Sequence, residues 1–316
     1  MESFSVKLGE LQEKYTGEGI KIAMLDTGVN AENLGIDIAG GFNFTDISDS
    51  ENYMDVLGHG TVTASVIKGK DGEGGVAPDA EIMALKILND DSETTSSIVS
   101  DAIYYAVDMG AKVLAMPFSL FPVSAQVEAA IEYAFDKGAV LIAAAGNEGT
   151  EISDNSLAAQ EQVITVGSLD ADGKMSAWSN YGDPLDLLAP WDVVTIDGTE
   201  DEAGTSFSAA FVAGVTALML SEDPAMTPED VLIKLKSMMT AGIEGEDTGY
   251  EEYGKLVMEK GEEKEEEEAK EEKEIKGVDI DEVVSRNEAQ ALNQEQFTGY
   301  SIITDEYKEL DQKKRL

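Results

Sequence analysis

Gly204-Thr205-Ser206-Phe207-Ser208-Ala209-Ala210-Phe211-Val212-Ala213-Gly214 is the stretch around which the rest of the chain can be read. A glycine-led turn delivers a serine into the first turn of an apolar helix expected to run to about Leu220. The first N–H groups of a helix have no partner inside it, and the helix dipole makes that end partly positive. A hydroxyl placed there lies beside a ready anion site. A Ser/Thr cap on a buried helix would use the same residue types, so other stretches have to decide.

Two of them do. Gly58-His59-Gly60-Thr61 contains the single histidine of the 316 residues. A lone imidazole can be structural, a pH switch or a base; if a histidine activates Ser206, it is His59. Ile20 to Gly28, IKIAMLDTG, reads as a buried strand with Asp26 at its carboxyl end and Thr27-Gly28 turning the chain. A buried acid needs a partner, and an imidazolium is a suitable one.

With Asp26, His59 and Ser206 in that order, the chain resembles the subtilisin-like serine proteases, the subtilases. A fourth match is Ala143-Ala144-Ala145-Gly146-Asn147-Glu148-Gly149, similar to the subtilase stretch that carries the oxyanion-hole asparagine. Gly-Asn-Glu-Gly is also a good turn sequence in its own right. The resemblance spans roughly residues 15 to 258. It implies an α/β, three-layer fold with a mostly parallel central sheet flanked by helices. It also implies a serine endopeptidase with catalytic Asp26, His59 and Ser206, and Asn147 in the oxyanion hole. Substrate would lie along Ser119, Leu120 and Phe121 on one side and Ala144, Ala145 and Gly146 on the other. The chemistry needs no cofactor; structural calcium remains open, although the Lys70–Gly75 turn looks too short for one of the family's calcium loops. The alternative is a catalytically silent subtilase scaffold that regulates a partner protein.

Departures from the family pattern point to a specialised cleft with narrow specificity. Ser119-Leu120-Phe121-Pro122 stands where Ser-Leu-Gly-Gly is usual, and that backbone ordinarily pairs with substrate as an added strand. Pro122 has no N–H to donate, and Phe121 adds bulk. Ala210 and Phe211 replace a proline and a histidine, Thr61 to Ser65 lack a second histidine and a glycine, and Trp191 replaces a glycine.

Composition narrows the partners. The net charge is −42. Residues 1–245 carry 41 acids against 11 lysines and no arginine, so the acidity is not confined to the tail. Such a surface repels nucleic acid and anionic membrane; it serves solubility, would attract basic peptide or protein substrates, or suits a high-salt or calcium-rich setting. The absence of cysteine excludes disulfides and thiol chemistry. No stretch reads as a membrane span, and Met1–Tyr15 lacks a basic start followed by an apolar run. A cytoplasmic protein is therefore expected, or a secreted one if a leader or propeptide preceded this start.

Along the chain, strands are expected at Ile36–Phe44, Ile82–Leu88, Lys112–Met116, Ala139–Ala145 and Gln162–Gly167. Helices are expected at His59–Lys68, Ser96–Met109, Val123–Lys137 and Thr227–Met239, with Ser176–Gly182 and Leu185–Pro190 as loops. Alternating strands and helices give a parallel sheet whose carboxyl edge gathers Asp26, Ser119 and Asn147. Three segments follow: a catalytic domain over 1–258, an acidic linker or helix over 259–276, and a C-terminal extension over 277–316. The extension is too small to fold alone; it could dock on the catalytic domain, be removed by self-cleavage or bind a partner.

Overall fold

The computed structural model describes residues 4–170, 173–191, 203–238 and 254–255. The linker and the C-terminal extension lie outside them.

Short apolar runs alternate with amphipathic helices, and the chain folds accordingly. In order, these are α1 (Phe4–Gln12), β1 (Lys21–Asp26), α2 (Ala31–Leu34), β2 (Gly40–Asn43), α3 (His59–Lys68), β3 (Gly69–Lys70), β4 (Glu73–Gly74) and β5 (Glu81–Lys86). Then come α4 (Ser96–Asp108), β6 (Val113–Met116), α5 (Ala125–Asp136), β7 (Val140–Ala144), β8 (Val163–Leu169), β9 (Leu187–Pro190), α6 (Thr205–Glu222), α7 (Pro228–Met238) and β10 (Gly254–Lys255). Eight strands form one sheet in the order β10-β9-β8-β7-β6-β1-β5-β2, and every pairing is parallel. The fold is three-layered α/β.

The two-residue period of a strand divides the core. Ile22 and Met24 of β1 face a core shared with α3, α6 and α7, whereas Ala23 and Leu25 face one shared with α4 and α5. Burial on both faces explains why the strands are continuous apolar runs. α6 is the hub of the first core and is buried from Thr205 to Leu220. Phe211 is among the largest fully buried side chains, and Ala210 is wholly enclosed, so both departures there are packing residues.

Three expectations need correcting. Leu187–Pro190 is not loop but strand β9, a buried apolar run of four residues too short to show a period. Of the expected Ile36–Phe44 strand, Gly40–Asn43 is strand β2 alongside β5, and the Ala39 and Phe44 N–H groups extend the ladder to the Ile82 and Lys86 carbonyls. The 18-residue α6 is long and apolar enough to cross a membrane, contrary to the sequence reading, but it lies inside the protein core. The Lys70–Gly75 turn closes a small hairpin between β3 and β4, with Asp71 and Gly72 both at positive φ.

Candidate active site

The carboxyl edge of the sheet brings the selected residues together. Asp26 ends β1 and is 1% exposed. Its Oδ1 accepts the Thr27 N–H at 2.7 Å and lies 2.8 Å from His59 Nδ1. Its Oδ2 accepts the Thr63 hydroxyl at 3.0 Å. An ionised carboxylate can only accept, so Nδ1 carries the proton and Nε2 becomes the basic nitrogen.

His59 opens α3, and Gly60 explains how it comes so close to Asp26. A Cβ at Gly60 would collide with the Gly28 carbonyl and stand 3.0 Å from Asp26 Cβ. The turn is braced by Asp55, which is 6% exposed. One Asp55 oxygen accepts from the Thr27 hydroxyl at 2.9 Å, the Leu57 N–H at 3.1 Å and the Gly58 N–H at 2.8 Å. The other takes the Thr61 N–H at 2.8 Å and the Thr61 hydroxyl at 2.6 Å. Behind it, the buried Lys86 ammonium donates to the Thr27 carbonyl at 2.8 Å and to Asp90 at 3.0 Å.

Ser206 is the second residue of α6, and the Phe207 ring that follows stands 6.0 Å from the imidazole. The histidine thus lies beside the first turn of the serine helix. The Ser206 hydroxyl donates to the Pro117 carbonyl at 2.8 Å. Asn147, just beyond β7, uses Oδ1 to accept both the Thr205 N–H and the Thr205 hydroxyl at 2.9 Å. Thr205 Oγ1 in turn accepts the Gly146 N–H at 3.1 Å. Asn147 Nδ2 faces the Gly204 turn, where an added Cβ would stand 3.5 Å away. Asn180 holds this loop in shape, donating to the Ala145 carbonyl at 3.1 Å and accepting the N–H groups of Glu148 and Thr150 at 3.1 and 3.0 Å.

Ser119, Leu120 and Phe121 follow β6. Ser119 is exposed, Leu120 is buried, and Phe121 is 57% exposed. The Leu120 carbonyl already accepts the Leu157 N–H at 2.9 Å. Ala144, Ala145 and Gly146 are buried at the end of β7. Trp191 is half-buried and meets Trp178 edge-on at 6.3 Å.

The family model for peptidase S8, the subtilase family, matches residues 17–274. The chain belongs to the subtilase family. Thermophilic serine proteinase from Bacillus sp. (strain AK1) is 36% identical over 214 residues, covering 65% of this chain and about half, 53%, of that protein. Subtilisin DY from Bacillus licheniformis is 31% identical over 248 residues, covering 74% and 89%. Among solved structures, a cold-adapted subtilisin-like serine proteinase superimposes with a TM-score of 0.67 at 27% identity, covering 78% of this chain and 92% of that one. As a subtilase, the chain is a serine endopeptidase acting on peptides or proteins.

Calcium is common among subtilases, and it takes oxygen ligands, carboxylates above all. The Lys70–Gly75 turn offers two carboxylates, Asp71 and Glu73. Beside it, the Gln12 side-chain N–H donates to the Val76 carbonyl at 3.1 Å. Among the described residues, no three His, Asp or Glu side chains gather as a metal site. These donors do not fit a carboxylate-built calcium site, and no catalytic step is routed through one.

Sequence reasoning missed Asp55, Thr63, Asn180 and the Thr205 bridge. For Thr63 a signal existed: it lies four residues after His59 in a helix, on the same face.

Proposed function

We propose that this subtilase hydrolyses peptide bonds with Ser206 as nucleophile, His59 as base and Asp26 as the orienting carboxylate. The observation that carries the reading is the 2.8 Å contact of His59 Nδ1 with a buried carboxylate, beside the helix turn that bears Ser206. Substrate binding turns the Ser206 hydroxyl from the Pro117 carbonyl toward His59 Nε2. As Ser206 Oγ attacks the scissile carbonyl, His59 takes its proton, and Asp26 stabilises the imidazolium. Asn147 Nδ2 and the Ser206 N–H, which has no intrahelical acceptor, receive the developing oxyanion. The imidazolium then protonates the leaving amine, and water repeats the sequence to free the acyl group.

Narrow specificity is the finer part of the proposal. Phe121 projects where the substrate backbone would pair, Pro122 lacks a donor, and the Leu120 carbonyl already has a partner. An extended peptide finds fewer free pairing groups on that side. The acidic surface favours basic substrates.

The test is covalent labelling by a fluorophosphonate, followed by intact mass. One adduct on the wild type and none on Ser206→Ala, with both proteins folded by circular dichroism, is the expected result. A folded wild type that takes no label overturns the assignment.

A further inference from the structure

The carboxylate that holds His59 has a second oxygen, and among the described residues one side chain reaches it. We propose that Thr63 is a positioning residue for the Asp26–His59 pair: its buried hydroxyl donates to Asp26 Oδ2 and fixes how the carboxylate faces the imidazole. The proposal rests on the reading of Asp26, His59 and Ser206 as the catalytic residues.

Thr63 is wholly buried, one helical turn after His59 in α3. Its Oγ1 lies 3.0 Å from Asp26 Oδ2, 3.0 Å from the Gly60 carbonyl and 3.2 Å from the His59 carbonyl. A hydroxyl has one proton to give. The two carbonyls are the usual back-bonding acceptors of a threonine inside a helix. The carboxylate is the stronger acceptor because its charge assists the bond. Asp26 Oδ1 is occupied by Thr27 and His59. Without Thr63, an anionic oxygen at a site with 1% exposure loses its hydrogen bond. The same bond ties the carboxylate to the helix that carries the base, so Asp26 and His59 move as one body.

The bond also divides the carboxylate's charge. When Thr63 donates, less of that charge falls on the imidazolium. Removing the donor strengthens the ion pair, makes His59 harder to deprotonate and moves the acid limb of kcat/KM to higher pH. Other charged groups surround the pair. Lys86 lies behind the Thr27 carbonyl and is paired with Asp90, and Asp55 holds Thr27 and Thr61. Lys68, Lys70 and Glu73 are at the far end of α3 and in the adjoining hairpin, Glu32 is on α2, which also packs against α3, and the first turn of α6 adds no charge. All are unchanged by substitutions at Thr63.

The test compares wild type, T63V, T63S and T63A on a peptide substrate at constant ionic strength. It follows kcat, KM, the pH profile of kcat/KM, thermal midpoint and fluorophosphonate labelling. T63V is expected to lower kcat about tenfold, the scale of one hydrogen bond to a charged group, with KM unchanged because Thr63 touches no substrate. Its acid limb is expected to rise by about half a pH unit. T63S keeps the hydroxyl and restores both readouts; T63A loses the hydroxyl and resembles T63V even if its thermal midpoint falls further. T63V or T63A with wild-type kcat and acid limb overturns the proposal and makes Thr63 a core residue bonded to its own helix. So does a T63S that behaves like T63A. A folded wild type that does not label overturns the catalytic reading and this proposal together; a wild type that labels while the variants keep its kinetics overturns this proposal alone.

Discussion

The helices carrying His59 and Ser206 start with the same deficiency and repair it differently. Each is preceded by a glycine, Gly58 or Gly204, that offers no side-chain cap. α3 borrows Asp55, a few residues upstream, which collects the N–H groups of Leu57, Gly58 and Thr61. α6 borrows Asn147, 58 residues away, which takes the Thr205 N–H. The cap of the histidine's helix therefore comes from its own loop, although Asp55 and Asp26 also tie that loop to the end of β1, whereas the cap of the serine's helix exists only after β7 and α6 have docked. One cap is local, and the other is a property of the tertiary fold.

Asn147→Ala gives the sharpest test of that contrast. Turnover is expected to fall about 10²–10³-fold if Nδ2 serves the oxyanion. Stability should fall as well, by about 1 kcal/mol, because Oδ1 is the borrowed cap of α6. Steady-state kinetics with urea unfolding measures both, and a stability loss without a kinetic one would reduce Asn147 to a cap.

Asp55→Ala should act mainly on stability. It leaves several buried donors without their acceptor and is expected to cost about 3 kcal/mol in urea unfolding. Labelling of Ser206 should slow too, since the turn that presents His59 loses its brace. Unchanged stability would show that the loop does not depend on this carboxylate and would break the comparison.

The smallest effect lies outside both settings. Burial pushes Asp101 of α4 up to about 6, against a partly opposing bond from Ser97. The folded value lies above the unfolded 3.8. The contribution is therefore complete below about pH 4 and lost as pH rises through about 6. Asp101→Asn, uncharged throughout, should flatten the decline of thermal midpoint over that window and leave kcat unchanged. An unaltered pH profile of melting would remove Asp101 as a source of that slope.

The distinction between local and tertiary also explains what was legible in the sequence. β1 and α3 could be read to within a residue or so, because an apolar run ending in Asp26 and a helix opening at His59 are local patterns. β9 was not, because Leu187–Pro190 is buried on both faces and looks like any short apolar loop. Asp26, His59, Ser206 and Asn147 stood out through their order and neighbours. Their supports did not: Thr63 meets Asp26 across 37 residues, and Asn180 meets Ala145 across 35. Helical spacing puts Thr63 on the face of His59, but nothing in composition or periodicity announces its pairing with Asp26 or that of Asn180 with Ala145. The direction in which Ser206 points, toward the Pro117 carbonyl, depends on a rotamer and is visible only in three dimensions.

Because Ser206, the nucleophile we propose, sits on the deeply enclosed helix α6, a molecule that loses its core also loses its reactivity and becomes a substrate for intact neighbours. Heat inactivation should therefore accelerate with enzyme concentration, as intact copies clear the opened ones. Dilution, or blocking Ser206 in advance, would then preserve the chain through a thermal excursion that destroys a concentrated stock.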